Sequence, residues 1–320
     1  MVIKTNDSGY FRILGDIRNY PTQPAFRIED VFPFCAWISF QWERNFKPFG
    51  FIQLVHGKFL ACPLIVLLYL LMCKYGPAGM KNRKEFDLRR VVFLWNVLLS
   101  FFNLIVVVKL TPVLIYAISK YTFTGLLIIP PIYTNAFGTS GLWVCLFILS
   151  KFVELADTLF LILRKKRITL LHWFHHSSVL LYTWHTYYAE VPAGFTFIII
   201  NAIVHTIMYT YYAMTTVRRK PLCWNILVTL LQILQMLLGI LLTLYCLYIT
   251  YNYKFNTYWH LRVIRKMQHK FTFDYGHYVC RRNVAYAVVM YTSYLLLFGK
   301  YFYDRYVCAG LKHVEKEKPA

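Results

Sequence analysis

The sequence predicts an all-α, polytopic membrane protein of about seven transmembrane helices, on three observations. Of its 320 residues, 58% are hydrophobic and only 15% are charged, whereas a soluble domain has roughly 45–50% apolar and about 25% charged residues. The mean hydropathy is +0.46. Seven apolar stretches approach the ~20 residues that a helix needs to cross a bilayer. The same composition excludes a disordered chain, and the eight cysteines are too few for a disulfide scaffold.

The apolar stretches follow one another along residues 51–303, which we interpret as one membrane domain. We predict spans at 59–73, 91–108, 141–163, 168–188, 193–215, 222–249 and 284–302. The first stretch is short and contains Pro63, so we expect this span to begin earlier, near Phe51. Between the second and third spans, residues 109–140 contain three prolines and are predicted to form a loop with an interfacial or re-entrant piece.

Basic residues set the expected topology, because lysine and arginine concentrate in cytosolic loops. Three basic runs follow the odd-numbered spans, at 74–90, 164–167 and 218–220. We therefore expect the segment 304–320 in the cytosol and the segment 1–50 in the lumen. The basic loop 250–283 falls on the lumenal side of this topology and opposes the assignment.

Two short signals favour the endoplasmic reticulum membrane as the location of this multi-pass protein. The C-terminal residues 316–320 read KEKPA and resemble a dilysine retrieval signal. The sequon Asn6-Asp7-Ser8 is available for glycosylation only if the N-terminus is lumenal. The segment 1–50 has no apolar core of a cleavable signal peptide.

The formal net charge of +21 indicates basic loops that face anionic lipid or an anionic substrate, with nucleic acid a remote alternative. The cysteines form no CxxC pair and no zinc spacing, so we predict no metal site.

The third span carries charged residues that a lipid-facing helix does not tolerate. Lys151, Glu154 and Asp157 each cost roughly 2.5–3.5 kcal/mol on an insertion scale, so these side chains must face the protein interior or a water-filled cavity. Together with Thr158 they lie on one helical face. The alternative to a functional site is a structural ion pair that fixes helix packing.

The fourth span places three imidazoles on one face within a single helical turn, at His172, His175 and His176. A lone histidine in a helix is usually a packed residue, but three together in an apolar segment predict a polar site. His185, further along the same span, is expected to be interfacial rather than catalytic.

The next two spans also carry polar stripes. The stripe of the fifth span comprises Asn201, His205, Met208 and Tyr212, with Tyr209 beside it. That of the sixth span comprises Thr229, Gln232 and Gln235. Hydrogen bonding between helices, without chemistry, is the alternative for the glutamines. Because four successive spans aim polar groups inward, we predict one intramembrane site.

These patterns together resemble the fatty acid elongase (ELO/ELOVL) family, the membrane 3-oxoacyl-CoA synthases. The matching motifs are Lys151-x-x-Glu154-x-x-Asp157-Thr158, His172-x-x-His175-His176, His205-x-x-Met208-Tyr209-x-Tyr211-Tyr212 and Thr229-x-x-Gln232-x-x-Gln235. The second motif alone is weak, since membrane desaturases also contain it. The four motifs in the family's order are highly specific.

The resemblance implies an enzyme that condenses a long-chain acyl-CoA with malonyl-CoA, releases CO2 and CoA, and yields a 3-oxoacyl-CoA two carbons longer. It implies no cofactor beyond these two substrates. It also implies a helical bundle that encloses an acyl-chain tunnel, closed at one end and open to the cytosol. Reductases and a dehydratase of the elongation cycle are the implied protein partners.

By the same resemblance, His175 takes the acyl group as an acyl-imidazole, and His205 orients malonyl-CoA or stabilises its enolate. His172 and His176 hold tautomers and donate hydrogen bonds. We expect carboxylates of the third span to fix the orientation of the histidines. The further substrate-binding candidates are Lys151, Glu154, Asp157, Asn201, Tyr209, Tyr212 and Gln232. The basic runs 164–167 and 218–220 either bind CoA phosphates or only anchor the topology.

The main rival is a di-iron membrane desaturase or hydroxylase, which needs roughly eight histidines because two irons demand many nitrogen ligands. Here the histidines outside the spans form no second histidine box. A seven-span receptor is a weaker rival, because Asp304-Arg305-Tyr306 comes after the last span. A transporter accounts for charges within spans but not for three histidines in one turn.

Overall fold

The computed structural model describes residues 26–129, 131–218, 223–252 and 281–308, and all regular structure in these ranges is helical. The sequon at Asn6, the tail 316–320 and most of the basic loop 250–283 lie outside the described residues.

Twelve α-helices fill the described ranges. They are α1 (Ile28–Val31), α2 (Pro33–Ile38), α3 (Gln41–Arg44), α4 (Phe49–Gly57), α5 (Ala61–Gly79), α6 (Arg89–Ile128), α7 (Gly138–Val153), α8 (Ala156–Leu163), α9 (Leu170–Tyr188), α10 (Gly194–Arg218), α11 (Asn225–Asn252) and α12 (Arg281–Phe302). A 3₁₀ turn, Pro131–Tyr133, follows α6, and a π-helical turn, Tyr303–Val307, follows α12.

Six of these helices close a ring. Helix α6 packs on α10, α10 on α11, α11 on α12, α12 on α9, α9 on α7, and α7 again on α6. Helix α5 lies outside this ring, against α8 and α9. The ring therefore encloses the interior of the bundle, and α5 covers one side of it.

The predicted all-α, polytopic membrane class is confirmed. A helix occurs at each of the seven predicted spans. Within the described part of the chain, four helices are by themselves long and apolar enough to cross a bilayer: Ala61–Gly79, Arg89–Ile128, Gly194–Arg218 and Asn225–Ile249. The exact number of seven crossings stays a prediction.

The prediction that residues 109–140 form a loop is wrong for most of its length, because α6 runs to Ile128. Pro112 lies buried inside this helix. A proline breaks helices in water, but apolar membrane helices tolerate it where neighbouring groups satisfy the freed backbone. The chain departs from helical geometry only at Thr122, whose φ of 66° turns the last residues of α6.

The first predicted span also differs from the expectation. Helix α5 begins at Ala61, and Pro63 lies in its first turn, where the missing N–H costs nothing. The residues near Phe51 belong to the separate helix α4.

A buried ion pair fastens the N-terminal helices to the ring. Lys109 of α6 contacts Glu43 of α3 at 2.6 Å between Nζ and Oε2, and both side chains are less than 10% exposed. The same ammonium group donates to the Ile38 carbonyl and to the Ser39 hydroxyl. The indole of Trp143 donates to the other Glu43 oxygen.

The turn after α6 packs tightly on the first turn of α7. The Pro131 carbonyl accepts three amide N–H groups, from Thr134, Asn135 and Ala136, at 2.8–3.0 Å. A Cβ atom at Gly141 would lie 1.8 Å from the Ala136 carbonyl oxygen. The close contact between this turn and α7 therefore requires glycine at position 141.

We expect Gly141→Ala to destabilise the protein by about 1–3 kcal/mol, because backbone atoms must move to admit the methyl group. The measurement is the thermal unfolding midpoint in detergent. Gly299→Ala is the matched control, since nothing lies within 4 Å of a Cβ there, and its midpoint should stay equal or rise slightly. Equal midpoints for the two variants would contradict the packing argument.

Candidate functional site

Among the described residues, two neighbouring cavities in the interior of the ring share part of their lining. The larger, which we call the polar chamber, has a volume of about 480 Å³. Eight of the predicted site residues line it: Asp157, His172, His175, His176, His205, Tyr209, Tyr212 and Gln232. Its rim is formed by the ends of several helices and includes Arg164, Tyr301 and the exposed Arg305.

The smaller cavity, which we call the apolar channel, has a volume of about 100 Å³ and runs toward the turn at residues 131–136. Its wall is mostly aliphatic and aromatic, and includes Val144, Ile148, Val179, Phe195, Ile198 and Met290. Two predicted site residues, Lys151 and Asn201, line the channel rather than the chamber.

His175 lies where the two cavities meet. Among the described residues, only His175, Gln235 and Met236 line both cavities. His175 therefore contributes to the walls of both cavities, and a ligand that spans them would pass beside it.

The start of helix α9 positions the histidines. The Thr169 hydroxyl accepts the His172 amide N–H at 3.2 Å and caps the helix. His172, His175 and His176 thus lie in the first two turns of α9, near its positive dipole end. Helix α11 also begins at the chamber, at Asn225. Two helix N-termini therefore favour negative charge in the chamber.

The His172 ring is hydrogen-bonded to one hydroxyl group, which is in turn hydrogen-bonded to a second. Its Nε2 is hydrogen-bonded to Thr158 Oγ1 at 2.8 Å. The same oxygen is hydrogen-bonded to the Tyr69 hydroxyl of α5 at 2.9 Å. The His172 and His176 rings pack 4.5 Å apart.

The nitrogens of His175 and His205 are available for a ligand. Within the described part of the chain, the His175 ring forms no hydrogen bond, and its backbone carbonyl accepts the Tyr294 hydroxyl at 3.2 Å. His205 is 6% exposed, and its Nδ1 is buried without a partner among the described residues. A buried imidazole nitrogen without a partner indicates a site that a ligand completes.

Lys151 and Glu154 form a buried pair beside His175. Lys151 Nζ lies 2.7 Å from Glu154 Oε1, and each side chain is 1% exposed. The same ammonium group donates to Asn201 Oδ1 at 3.3 Å and lies 4.2 Å from the centre of the Phe147 ring. Glu154 lines neither cavity, so it acts on the site only through Lys151.

Asp157 is paired with two ring donors. Trp95 Nε1 donates to its Oδ1 at 2.6 Å, and the Tyr209 hydroxyl donates to its Oδ2 at 3.2 Å. Among the described residues no hydrogen bond joins a carboxylate to one of these histidines, and Thr158 holds His172 instead. Both oxygens of Asp157 accept hydrogen bonds from α6 and α10, and neither accepts one from α9 among the described residues.

The remaining predicted site residues differ in their hydrogen bonds and exposure. The Gln232 amide donates to Met208 Sδ at 3.1 Å. Tyr212 lines the chamber and is 40% exposed. Because the Tyr209 hydroxyl already donates a hydrogen bond to Asp157, Tyr212 is the better placed of the two tyrosines to donate to a ligand.

Several residues of the site carried no sequence signal. Tyr69, Trp95 and Tyr294 are single polar groups in apolar helices, so neither motif nor periodicity marks them. Within the described residues, no group of three or more histidines, cysteines or carboxylates is arranged to hold a metal ion, and no observation favours the desaturase alternative.

Comparison with known proteins gives one consistent family. Residues 54–314 match the model of the GNS1/SUR4 (ELO) family. The chain is 31% identical over 273 residues to very long chain fatty acid elongase 6 of Rattus norvegicus, covering 84% of this chain and 93% of that protein. It is 33% identical over 257 residues to very long chain fatty acid elongase 3 of Homo sapiens, covering 79% and 86%. For elongase 6 of Drosophila melanogaster the identity is 32% over 247 residues, covering 76% and 71%.

We expect Lys151→Met to destabilise the protein by about 3–5 kcal/mol, because it leaves the Glu154 carboxylate buried and unpaired. The double variant Lys151→Met/Glu154→Leu should recover most of the loss. Lys300→Met is the matched control, since the Lys300–Asp304 pair is 3.1 Å long but 73% and 55% exposed. Its effect should be within about 1 kcal/mol.

The measurement is the thermal unfolding midpoint of each of the three variants in detergent. A Lys151→Met midpoint equal to that of Lys300→Met would contradict the assignment of a buried pair.

Proposed function

This chain belongs to the GNS1/SUR4 (ELO) family and is a fatty acid elongase, and we propose that His175 carries its acyl group between two half-reactions. The enzyme is an acyltransferase of the very-long-chain 3-oxoacyl-CoA synthase type, a multi-pass membrane protein of lipid biosynthesis that acts on acyl-CoA. Malonyl-CoA as the second substrate, the absence of a further cofactor and the endoplasmic reticulum location are parts of the proposal.

The position of His175 at the junction of the two cavities carries this proposal. An acyl-CoA has a polar nucleotide end and an apolar chain, joined at the thioester. If the nucleotide end occupies the polar chamber and the chain occupies the apolar channel, the thioester lies beside the His175 ring.

The length of the channel suits a long acyl chain. Along α9 the channel lining extends from His175 to Tyr187, a rise of about 18 Å at 1.5 Å per residue. An extended chain advances about 1.25 Å per carbon, given C–C bonds of about 1.5 Å and angles of about 111°. About 14 carbons fit this distance. The channel is narrow, so it must widen as the chain enters, which the flexible side chains of Met236 and Met290 permit.

In the first half-reaction, an unprotonated nitrogen of His175 attacks the thioester carbonyl. The C–N bond forms and the C–S bond breaks, and CoA leaves as the thiol with the proton of the imidazole. The acyl-imidazole then occupies the junction while malonyl-CoA enters the chamber. An imidazole without hydrogen-bonded partners is free to act as this nucleophile.

In the second half-reaction, malonyl-CoA loses CO2 and becomes an enolate. The enolate carbon attacks the acyl carbon, the C–N bond breaks, and the imidazole nitrogen takes up one proton. The free Nδ1 of His205 and the Tyr212 hydroxyl are the candidates that orient the malonyl thioester and stabilise its oxyanion.

The chamber rim suits the phosphates of CoA. Arg164 and Arg305 lie at this rim, and α9 and α11 direct their positive ends to the chamber. Arg164 belongs to the basic run 164–167 that is predicted to face the cytosol. We propose that CoA enters from that side, and that reductases and a dehydratase of the elongation cycle take the product there.

We expect His175→Ala to lower condensation by roughly 10³-fold or more, because the nucleophile is removed. The assay follows labelled malonyl-CoA with a panel of acyl-CoAs in detergent. His185→Gln is the matched control: it lies on the same helix, its ring bonds to Asn283, and it lines neither cavity. It should retain activity. Full turnover by His175→Ala would refute the nucleophile assignment.

We expect His205→Ala to block product formation after acyl transfer, because the enolate then lacks its stabilising group. Intact mass spectrometry after incubation with both substrates should detect accumulated acyl-enzyme. Unchanged product formation would show that His205 is structural. Loss of product without acyl-enzyme would assign His205 to the first half-reaction instead.

A further inference from the structure

We propose that Tyr69 is a positioning residue of this elongase, which fixes the tautomer of His172 through Thr158. The observation is a chain of two hydrogen bonds that starts outside the ring of helices. The Tyr69 hydroxyl lies 2.9 Å from Thr158 Oγ1, and Thr158 Oγ1 lies 2.8 Å from His172 Nε2. The proposal rests on the proposed function of the chamber that His172 lines.

We call the hydrogen-bonded chain from Tyr69 through Thr158 to His172 the relay. Its burial makes these hydrogen bonds selective. Tyr69 is 3% exposed and Thr158 is fully buried. Water therefore does not compete for these hydroxyl groups, and each proton in the relay has few alternative acceptors.

The number of protons sets the direction of the relay. Each hydroxyl has one proton, and Thr158 Oγ1 lies between the phenol and the imidazole. If Tyr69 donates to Thr158, His172 Nε2 is the one hydrogen-bond partner among the described residues that can accept the Thr158 proton, so Thr158 donates to Nε2 and the relay ends on a strong acceptor. In the opposite direction the phenolic proton is left to the Cys73 thiol, one turn further along α5, and sulfur is a weak acceptor.

The direction from Tyr69 to His172 places the imidazole proton on Nδ1. His172 then offers an N–H donor on the edge of the ring that Thr158 does not occupy. Oxyanions develop in both half-reactions, and a preorganised donor stabilises them. Without the phenol, the Thr158 hydroxyl loses the donor that orients it and polarises its O–H bond, so its hydrogen bond to Nε2 weakens and the Nδ1–H tautomer is less strongly favoured.

Tyr69 acts through another residue and not on substrate. It belongs to α5, outside the ring, and lines neither cavity. It also lies outside the four sequence motifs. This helix therefore contributes to the site by a hydrogen bond, in addition to covering α8 and α9.

The test compares Tyr69→Phe with the wild-type enzyme in the condensation assay, using a saturated long-chain acyl-CoA and malonyl-CoA. We expect kcat to fall about tenfold, as for other groups that orient a functional histidine. The KM values should change less than twofold, because no substrate contact is lost. Tyr121→Phe is the matched control: Tyr121 is 2% exposed, its hydroxyl is buried without a partner among the described residues, and it lines neither cavity. Its kcat should stay unchanged.

Thr158 variants separate positioning from stability. Thr158→Val should lower kcat at least as much as Tyr69→Phe, and Thr158→Ser should restore it, because serine keeps the hydroxyl. In a Thr158→Val background, Tyr69→Phe should have no further effect, since both act through one relay. An unchanged kcat in Tyr69→Phe, a loss confined to KM, or effects that multiply in the double variant would each overturn the proposal.

The outcome is independent of the His175 assignment. If the wild-type enzyme forms no acyl-imidazole while Tyr69→Phe still lowers kcat alone, the nucleophile proposal fails and the relay stands. If the acyl-imidazole forms equally fast in both enzymes and turnover is equal, the relay fails and the nucleophile proposal stands.

Discussion

Polar and ionisable side chains cannot face lipid, so in this bundle they must be satisfied by one another or by a ligand. This constraint organises the whole site. Lys151 pairs with Glu154 and Asn201, and Asp157 accepts hydrogen bonds from Trp95 and Tyr209. Because each pair joins different helices or turns, satisfying the polar groups also fixes how the ring closes. The groups that have no partner among the described residues, above all the rings of His175 and His205, are then left for the substrate.

The second organising feature is the change of polarity along the interior. A chamber lined by imidazoles, phenols and two helix N-termini adjoins a channel lined by aliphatic and aromatic groups. Such a gradient matches a substrate that is anionic at one end and apolar at the other. The thioester is the point where the two halves of an acyl-CoA meet, and His175, the proposed nucleophile, lines both cavities. The agreement between these two junctions links the fold to the elongase reaction.

Much of the fold and of the site could be predicted from the sequence, and there are physical reasons why the rest could not. The location of the helices was predictable because apolar length alone marks them. The polar stripes were predictable because the i, i+3, i+4 spacing holds on any helix. The hydrogen-bond partners that come from other helices could not be predicted. Neither Trp95 nor Tyr69 belongs to a sequence pattern, and only the packing of α5 and α6 brings them to the site. The continuation of α6 through Pro112 was missed because helix-breaking rules from water do not hold in an apolar bundle.

The most direct test of the account is exchange of free CoA into acyl-CoA in the absence of malonyl-CoA. The wild-type enzyme is incubated with a long-chain acyl-CoA and isotopically labelled CoA. If the His175 imidazole accepts the acyl group and releases CoA before malonyl-CoA binds, labelled CoA attacks the acyl-imidazole, and label appears in acyl-CoA. If label enters acyl-CoA no faster than in the uncatalysed reaction, the enzyme releases no CoA before malonyl-CoA binds. This result would contradict the claim that His175 carries the acyl group.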